Sequence, residues 1–228
     1  MAVLGIAAAL VPVAAWRGGP GALALEPAPA PIPPAAARIA AQAATVPFHV
    51  TYRRSVASGL PQAGRLVGGV QLPPVGPGYY TYDPSSSALP NAAGRRWGTD
   101  TLVRQLVALG AWWEETHPDA PRIGVGDMSR RDGGSFGGAI TGHVSHQNGL
   151  DADLRLPRRD GVEGPSDPGT YDRKLTQALV TRLVDQGASL VLVGPSLDLH
   201  GPRGIVGPWP HHDDHIHVRF PDPDGTGN

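Results

Sequence analysis

The sequence contains no cysteine, and this absence limits both its covalent chemistry and its metal chemistry. None of the 228 residues is a cysteine, so no disulfide framework can form, and any metal ion must be bound by His, Asp or Glu. The absence does not determine the compartment, because an exported protein and a cytosolic protein can both lack disulfides.

A strong net charge and the usual nucleotide-binding motifs are also missing. The formal net charge is −1 and the sequence pI is 6.7, which argues against nucleic acid as a partner because phosphate-binding surfaces are usually basic. The glycine-rich segment 130–142 has neither GxGxxG nor GxxxxGKS spacing, so no phosphate-binding loop is predicted there.

The apolar run at the N-terminus is too short to cross a membrane. It covers residues 2–16, whereas a spanning helix needs about 20 residues. Small residues at 22–24 offer a cleavage site. We therefore predict a signal peptide or N-terminal apolar segment over 1–24, no stable membrane span, and export to the periplasm, cell wall or extracellular space. The alternative is a disordered Ala-rich tail.

Composition divides the rest of the chain into a spacer, one folded domain and a tail. Residues 25–47 are rich in Pro and Ala, which is typical of a disordered spacer. We place the folded, catalytic domain at 48–222 and a short disordered tail at 223–228. The chain has 31 Gly and 25 Pro, so long irregular loops are expected.

Apolar periodicity predicts two helices and several short strands. Four-residue and three-residue spacing of apolar side chains marks helices within 97–118, capped by Thr99, and within 171–187. Strands are predicted over 122–129, 188–194 and 215–220, with a shorter one within 69–83. The predicted fold class is α+β: a small central antiparallel sheet carrying a metal site, flanked by helices and long Gly/Pro-rich loops.

Six of the nine histidines fall in two short segments. Successive side chains of a strand point to opposite faces, so His215 and His217 project together while Ile216 faces the core. The members of the two clusters are His143 and His146 in the first, and His211, His212, His215 and His217 in the second.

The first cluster continues into a carboxylate pair. Asn148-Gly149 is a turn signal, and in a strand after it Asp151 and Asp153 share one face. His146 before the turn and Asp153 after it can therefore reach one point. Together with the second cluster, these segments predict a metal site built from imidazole and carboxylate.

This donor set favours one zinc ion per chain. Catalytic zinc sites use three protein ligands and keep one position for water, whereas calcium and magnesium prefer oxygen ligands alone. The facial triad of non-haem iron oxygenases also has two His and one carboxylate. That site commonly has its first His and its carboxylate two positions apart, whereas His146 and Asp153 are seven apart.

The pattern HxxxxxxD followed far downstream by HxH resembles the zinc peptidases that include lysostaphin-type enzymes, D-Ala-D-Ala carboxypeptidases and the hedgehog domain. Three longer segments, GHVSHQNGLDAD, HHDDHIHVRF and SGLPQAGRLVGGVQLP, are similar to the penicillin-insensitive murein endopeptidases. The resemblance covers roughly residues 50–220.

The resemblance implies a ligand set and roles for further residues. It implies that His146, Asp153 and His217 bind zinc, that His215 is the general base, and that His143 and His212 orient substrate or stabilise the tetrahedral intermediate. Asp151 would support a ligand, Asp213 could orient a neighbouring imidazole, and His211 receives no role. The implied reaction is zinc-assisted hydrolysis of D-Ala–diaminopimelate cross-links, with cross-linked peptidoglycan peptides as the partner.

Two alternatives stay open from the sequence. The first is a D,D-carboxypeptidase or dipeptidase on the same fold; those enzymes usually have a Glu shortly before HxH, whereas Asp213 and Asp214 stand here. The second is a non-catalytic, zinc-containing domain that binds the cell wall. The presence of candidates for both the base and the oxyanion-stabilising groups favours an enzyme.

Overall fold

The computed structural model of the chain describes residues 48–136 and 144–221. The predicted apolar segment over 1–24, the spacer over 25–47 and the tail over 223–228 lie outside these residues, as does His143. In the described part, no helix combines the length and the apolar character needed to cross a membrane.

Two α-helices form where apolar periodicity predicts them. Helix α1 is Asp100–Thr116, and the predicted N-cap is confirmed: Thr99 accepts a hydrogen bond from the Leu102 N–H at 3.1 Å. Helix α2 is Arg173–Asp185 and is capped in the same way by Asp172. Each cap satisfies a backbone N–H group that the first turn of a helix leaves unpaired.

The strands of the described residues are short, and most of them belong to one sheet. The strands are β1 Val56–Leu60, β2 Ala63–Val67, β3 Val70–Gln71, β4 Val75–Gly76, β5 Tyr79–Thr81, β6 Trp97–Gly98, β7 Ile123–Val125, β8 Asp151–Arg155, β9 Leu190–Val193, β10 Val206–Pro208 and β11 His215–Arg219. The main sheet has seven of these strands, in the order β10-β9-β11-β8-β7-β5-β4.

The predicted antiparallel pairing is correct for four of the six strand pairs of this sheet, including the pair β4–β5 at one flank. Strands β9, β11, β8 and β7 pair antiparallel, whereas β5 pairs parallel with β7 and β10 pairs parallel with β9. The sheet is therefore mixed. Helix α1 lies between β5 and β7 in the chain, and a helical crossover of this kind returns the chain parallel to the strand it left.

One face of the sheet packs against both helices. Ala152 and Leu154 of β8 and Ile216 and Val218 of β11 each have 0% exposure. They belong to the same core cluster as the buried leucines of α1 and α2. Because strand side chains alternate, the residues between them lie on the opposite face of the sheet, and this second face carries the candidate site.

Candidate metal centre

The pairing of β8 with β11 places the predicted residues of the two clusters beside each other. His217 lies directly opposite Asp153, and His215 lies directly opposite Arg155. Directly opposed residues of an antiparallel pair share one face, with Cβ atoms about 4.5–5.5 Å apart. The exposure of His217 is 5% and that of Asp153 is 3%, so both polar side chains are largely withdrawn from water.

His146 joins this pair from the loop before β8. Its backbone has φ of 72°, an uncommon conformation for a residue with a side chain. Nδ1 lies 2.8 Å from the Met128 carbonyl oxygen; since a carbonyl only accepts, Nδ1 carries the hydrogen. Nε2 then carries the lone pair of the ring, and it lies 3.3 Å from Oδ1 of Asp153.

The two nitrogens of His217 also have different partners. Nε2 lies 3.2 Å from Oδ1 of Asp151, and Nδ1 lies 3.1 Å from Oδ1 of Asp153. A hydrogen on Nε2 donated to Asp151 leaves the lone pair of Nδ1 directed at the space shared with Asp153. The potential donor atoms of His146, Asp153 and His217 all lie within 4.8 Å of one another. One cation could therefore contact all three side chains.

The charges around these groups favour a bound cation or proton. Burial lowers the pKa of His217, but the hydrogen bonds and charges of Asp151 and Asp153 outweigh it and raise that pKa to about 9. Burial opposes ionisation of Asp153, yet the neighbouring His146 and His215 hold its pKa well below its usual range. The carboxylate is thus ionised and lies between imidazoles, as a metal ligand must be.

Asp151 supports two of these side chains at once. It is fully buried, and its Oδ2 accepts a hydrogen bond from the His146 backbone N–H at 3.0 Å. Arg219 donates to both of its oxygens, at 2.6 Å from Nε and 3.3 Å from Nη2. Asp151 therefore fixes the ring of His217 and the backbone of His146, and Arg219 balances its charge.

Arg219 is not among the site residues predicted from the sequence. Alternation along β11 puts it on the same face as His215 and His217, which was a usable signal. Its partner depends on the register that sets Arg219 opposite Asp151, and no local pattern gives that register.

His215 and His212 lie next to the three converging side chains. Nε2 of His215 is 3.9 Å from Oδ1 of Asp153, and Nδ1 is 2.7 Å from Oδ1 of Asp214. Burial lowers the pKa of His215, but Asp153 and Asp214 together raise it above its ordinary value. The ring of His212 is centred 4.7 Å from that of His215, and burial lowers the pKa of His212.

Asp214, rather than Asp213, holds a histidine ring. Asp213 accepts hydrogen bonds from the backbone N–H and the hydroxyl of Ser196, so it fixes a loop instead. The sequence could not distinguish these two adjacent acids, because the direction of each depends on the turn before β11. His211 is exposed.

A partly buried ion pair supports the segment that holds His146. Arg95 donates to both oxygens of Asp127, and Asn91 donates to Oδ1 of the same carboxylate at 3.0 Å. The Met128 N–H also donates to the Arg95 carbonyl at 3.0 Å. These bonds fix the position of the Met128 carbonyl, which sets the tautomer of His146.

Comparisons with known proteins match this part of the chain. A family model described as penicillin-insensitive murein endopeptidase matches residues 57–186, which include His146 and Asp153. A penicillin-insensitive murein endopeptidase from Haemophilus influenzae is 28% identical over 184 residues, covering 69% of this chain and 60% of that protein. One from Klebsiella pneumoniae is 28% identical over 191 residues, covering 72% and 65%.

The chain thus spans less than two thirds of the length of either relative. The family model, in contrast, covers more than half of the chain. On this match, the chain belongs to the penicillin-insensitive murein endopeptidase family.

Proposed function

We propose that this chain is an exported, zinc-dependent endopeptidase that hydrolyses D-Ala–diaminopimelate cross-links of peptidoglycan. One observation carries the proposal: donor atoms of His146, Asp153 and His217 converge within 4.8 Å of one another, with His215 adjacent. The relatives from Haemophilus and Klebsiella are named for murein endopeptidase activity, which supports this substrate class.

The donor set fits zinc. Two neutral imidazoles and one carboxylate are ligands that zinc accepts in catalytic sites. The second nitrogen of each imidazole is held elsewhere, His146 by the Met128 carbonyl and His217 by Asp151. Hydrogen bonds of this type fix the tautomer and orientation of metal-binding histidines. Both rings are therefore oriented for metal binding in the absence of an ion.

The proposed reaction depends on both zinc and the neighbouring side chains. Held by His146, Asp153 and His217, a zinc ion would supply Lewis acidity, which would lower the pKa of water toward about 7 and polarise a peptide carbonyl. His215 accepts the proton of the attacking water on Nε2, because its Nδ1 donates to Asp214. The same nitrogen can then pass that proton to the departing amine.

Among the described residues, His212 is the remaining histidine at the site for which we propose a role in the reaction. Its Nδ1 lies 2.8 Å from the Pro210 carbonyl oxygen and carries the hydrogen. Its ring is centred 5.9 Å from that of His217, so it borders the site. We propose that His212 and His143 orient the substrate or stabilise the tetrahedral intermediate.

Digestion of purified sacculi tests the function. We expect the chain to convert cross-linked dimers into monomers, identified by mass, and a chelator to stop the reaction until zinc is restored. Removal of terminal D-Ala without cleavage of dimers would instead indicate a carboxypeptidase. Zinc-dependent attachment to sacculi without any product would indicate a binding domain.

Substitutions test the roles of the residues. We expect His146→Ala, Asp153→Ala and His217→Ala each to lose zinc and activity together, whereas His215→Ala loses activity and keeps zinc. His200→Ala is the control, because this exposed histidine also pairs with a carboxylate, 2.9 Å from Asp198. Equal zinc loss in the His215 variant would show that the base is misassigned.

A further inference from the structure

Arg155 is a buried cation beside the candidate site. It lies directly opposite His215 across β8 and β11, and its exposure is 7%. Its Nε is buried and has no hydrogen-bond partner, and within the described residues the guanidinium forms no ion pair. The nearby carboxylates of Asp153 and Asp214 are held by histidines instead.

A tyrosine ring holds the guanidinium in place. The central carbon of the Arg155 guanidinium, Cζ, lies 3.7 Å from the centroid of the Tyr82 ring. The Tyr82 ring reaches over position 126, directly after β7, because this residue is glycine: a Cβ there would lie 2.9 Å from the Tyr82 hydroxyl oxygen. Tyr80 leans over Gly124 in the same way, with a corresponding distance of 2.8 Å.

A contact with an aromatic face does not replace hydrogen-bond acceptors. A cation–π contact stabilises a guanidinium only weakly, whereas burial of a guanidinium without an acceptor carries a larger desolvation cost. Buried charged groups in native proteins are normally paired. The neighbouring Arg122 follows this rule, since it donates to both oxygens of Glu163 at 2.6 and 2.7 Å. The acceptor for Arg155 is therefore to be sought in a bound molecule.

We propose that Arg155 is a specificity-determining residue that binds a carboxylate of the substrate, next to the scissile bond. This inference rests on the proposed function, and it deepens it. In a D-Ala–diaminopimelate link, the carbon that bears the scissile nitrogen also bears a free carboxylate. Arg155 is paired across β8 and β11 with His215, the proposed proton carrier for that nitrogen, and is therefore suitably placed to receive this carboxylate. Arg pairs with carboxylates through two parallel hydrogen bonds.

Two synthetic peptides test this role. Both contain an acyl-D-Ala–diaminopimelate link; one has the free carboxylate beside the scissile nitrogen and the other has a carboxamide there. Binding to the full chain is measured in the presence of a chelator, so that no hydrolysis intervenes. We expect the wild type to bind the carboxylate roughly 10- to 100-fold more tightly, as for hydrogen bonds between charged groups.

Variants of Arg155 should remove this preference. In Arg155→Met both peptides should bind equally, and Arg155→Lys should keep only part of the preference, because an ammonium lacks the planar fork. Arg182→Met is the matched control: Arg182 also has a buried Nε without a partner and also stacks on an aromatic ring, that of Trp112. It lies on α2, and its variant should keep the full preference.

The outcomes separate this inference from the proposed function. A wild type without preference, or an Arg155→Met variant that retains it, would overturn the role of Arg155. A merely structural role would change stability and not the ratio of the two affinities. If the chain bound the carboxylate through Arg155 but never cleaved the link with zinc, this inference would hold and the endopeptidase proposal would fail.

Discussion

Asp151→Asn tests whether Asp151 prepares the metal centre without binding the metal. The carboxylate accepts four hydrogen bonds: two from Arg219, one from His217 and one from the His146 backbone. Asparagine has the same shape but only one acceptor oxygen. Its amide NH2 must face a donor, either the guanidinium of Arg219 or the N–H of His146.

The structure sets the size of both expected effects. Loss of one partner from a buried ion pair costs about 3–5 kcal/mol, and Arg219 is 24% exposed, so we take the lower end, about 3 kcal/mol. A domain of this size loses about 2–4 °C of Tm per kcal/mol, which gives a decrease of about 6–12 °C. Zinc affinity should fall about 10- to 100-fold, as for other partners of metal-binding histidines.

Thermal unfolding followed by circular dichroism and a zinc-chelator competition measure these two effects. Excess zinc should restore most of the activity of Asp151→Asn but not that of Asp153→Asn, which lacks a ligand charge. Glu163→Gln is the matched control, because it breaks a similar two-pronged pair with Arg122 and should lower Tm without changing zinc affinity. If Asp151→Asn bound zinc with wild-type affinity, Asp151 would have no role in preparing the metal centre.

Three further predictions concern the base, a helix cap and the metal. Asp214→Asn should lower kcat about 10-fold at unchanged zinc content, because it weakens the hydrogen bond that orients the His215 ring. Asp213→Asn alters only a loop contact and should leave kcat unchanged. Equal kcat in the two variants would contradict this prediction. Thr99→Ala should destabilise the fold by about 1 kcal/mol through loss of the α1 cap, measured by urea unfolding, with no effect on zinc affinity. Removal of zinc should lower Tm in proportion to the free energy of zinc binding, and an unchanged Tm on chelation would argue against a resident ion.

Local patterns predicted the elements and faces that neighbouring residues along the chain define. The cap at Thr99, both helices and the face shared by His215 and His217 follow from such spacing, and the structure contains them. The parallel pairs at the sheet's flanks could not be predicted in this way, because they depend on the route that the chain takes over α1 and over the segment between β9 and β10.

The clustering of residue types and the alternation of the strand side chains can be predicted from the sequence, because periodicity is a property of local backbone geometry. The position of His217 opposite Asp153, the pairing of Asp151 with Arg219, and the lack of an acceptor for Arg155 beside His215 depend on tertiary contacts. These contacts join residues that are at least 60 positions apart, and their register is fixed by how Ala152, Leu154, Ile216 and Val218 pack into one core.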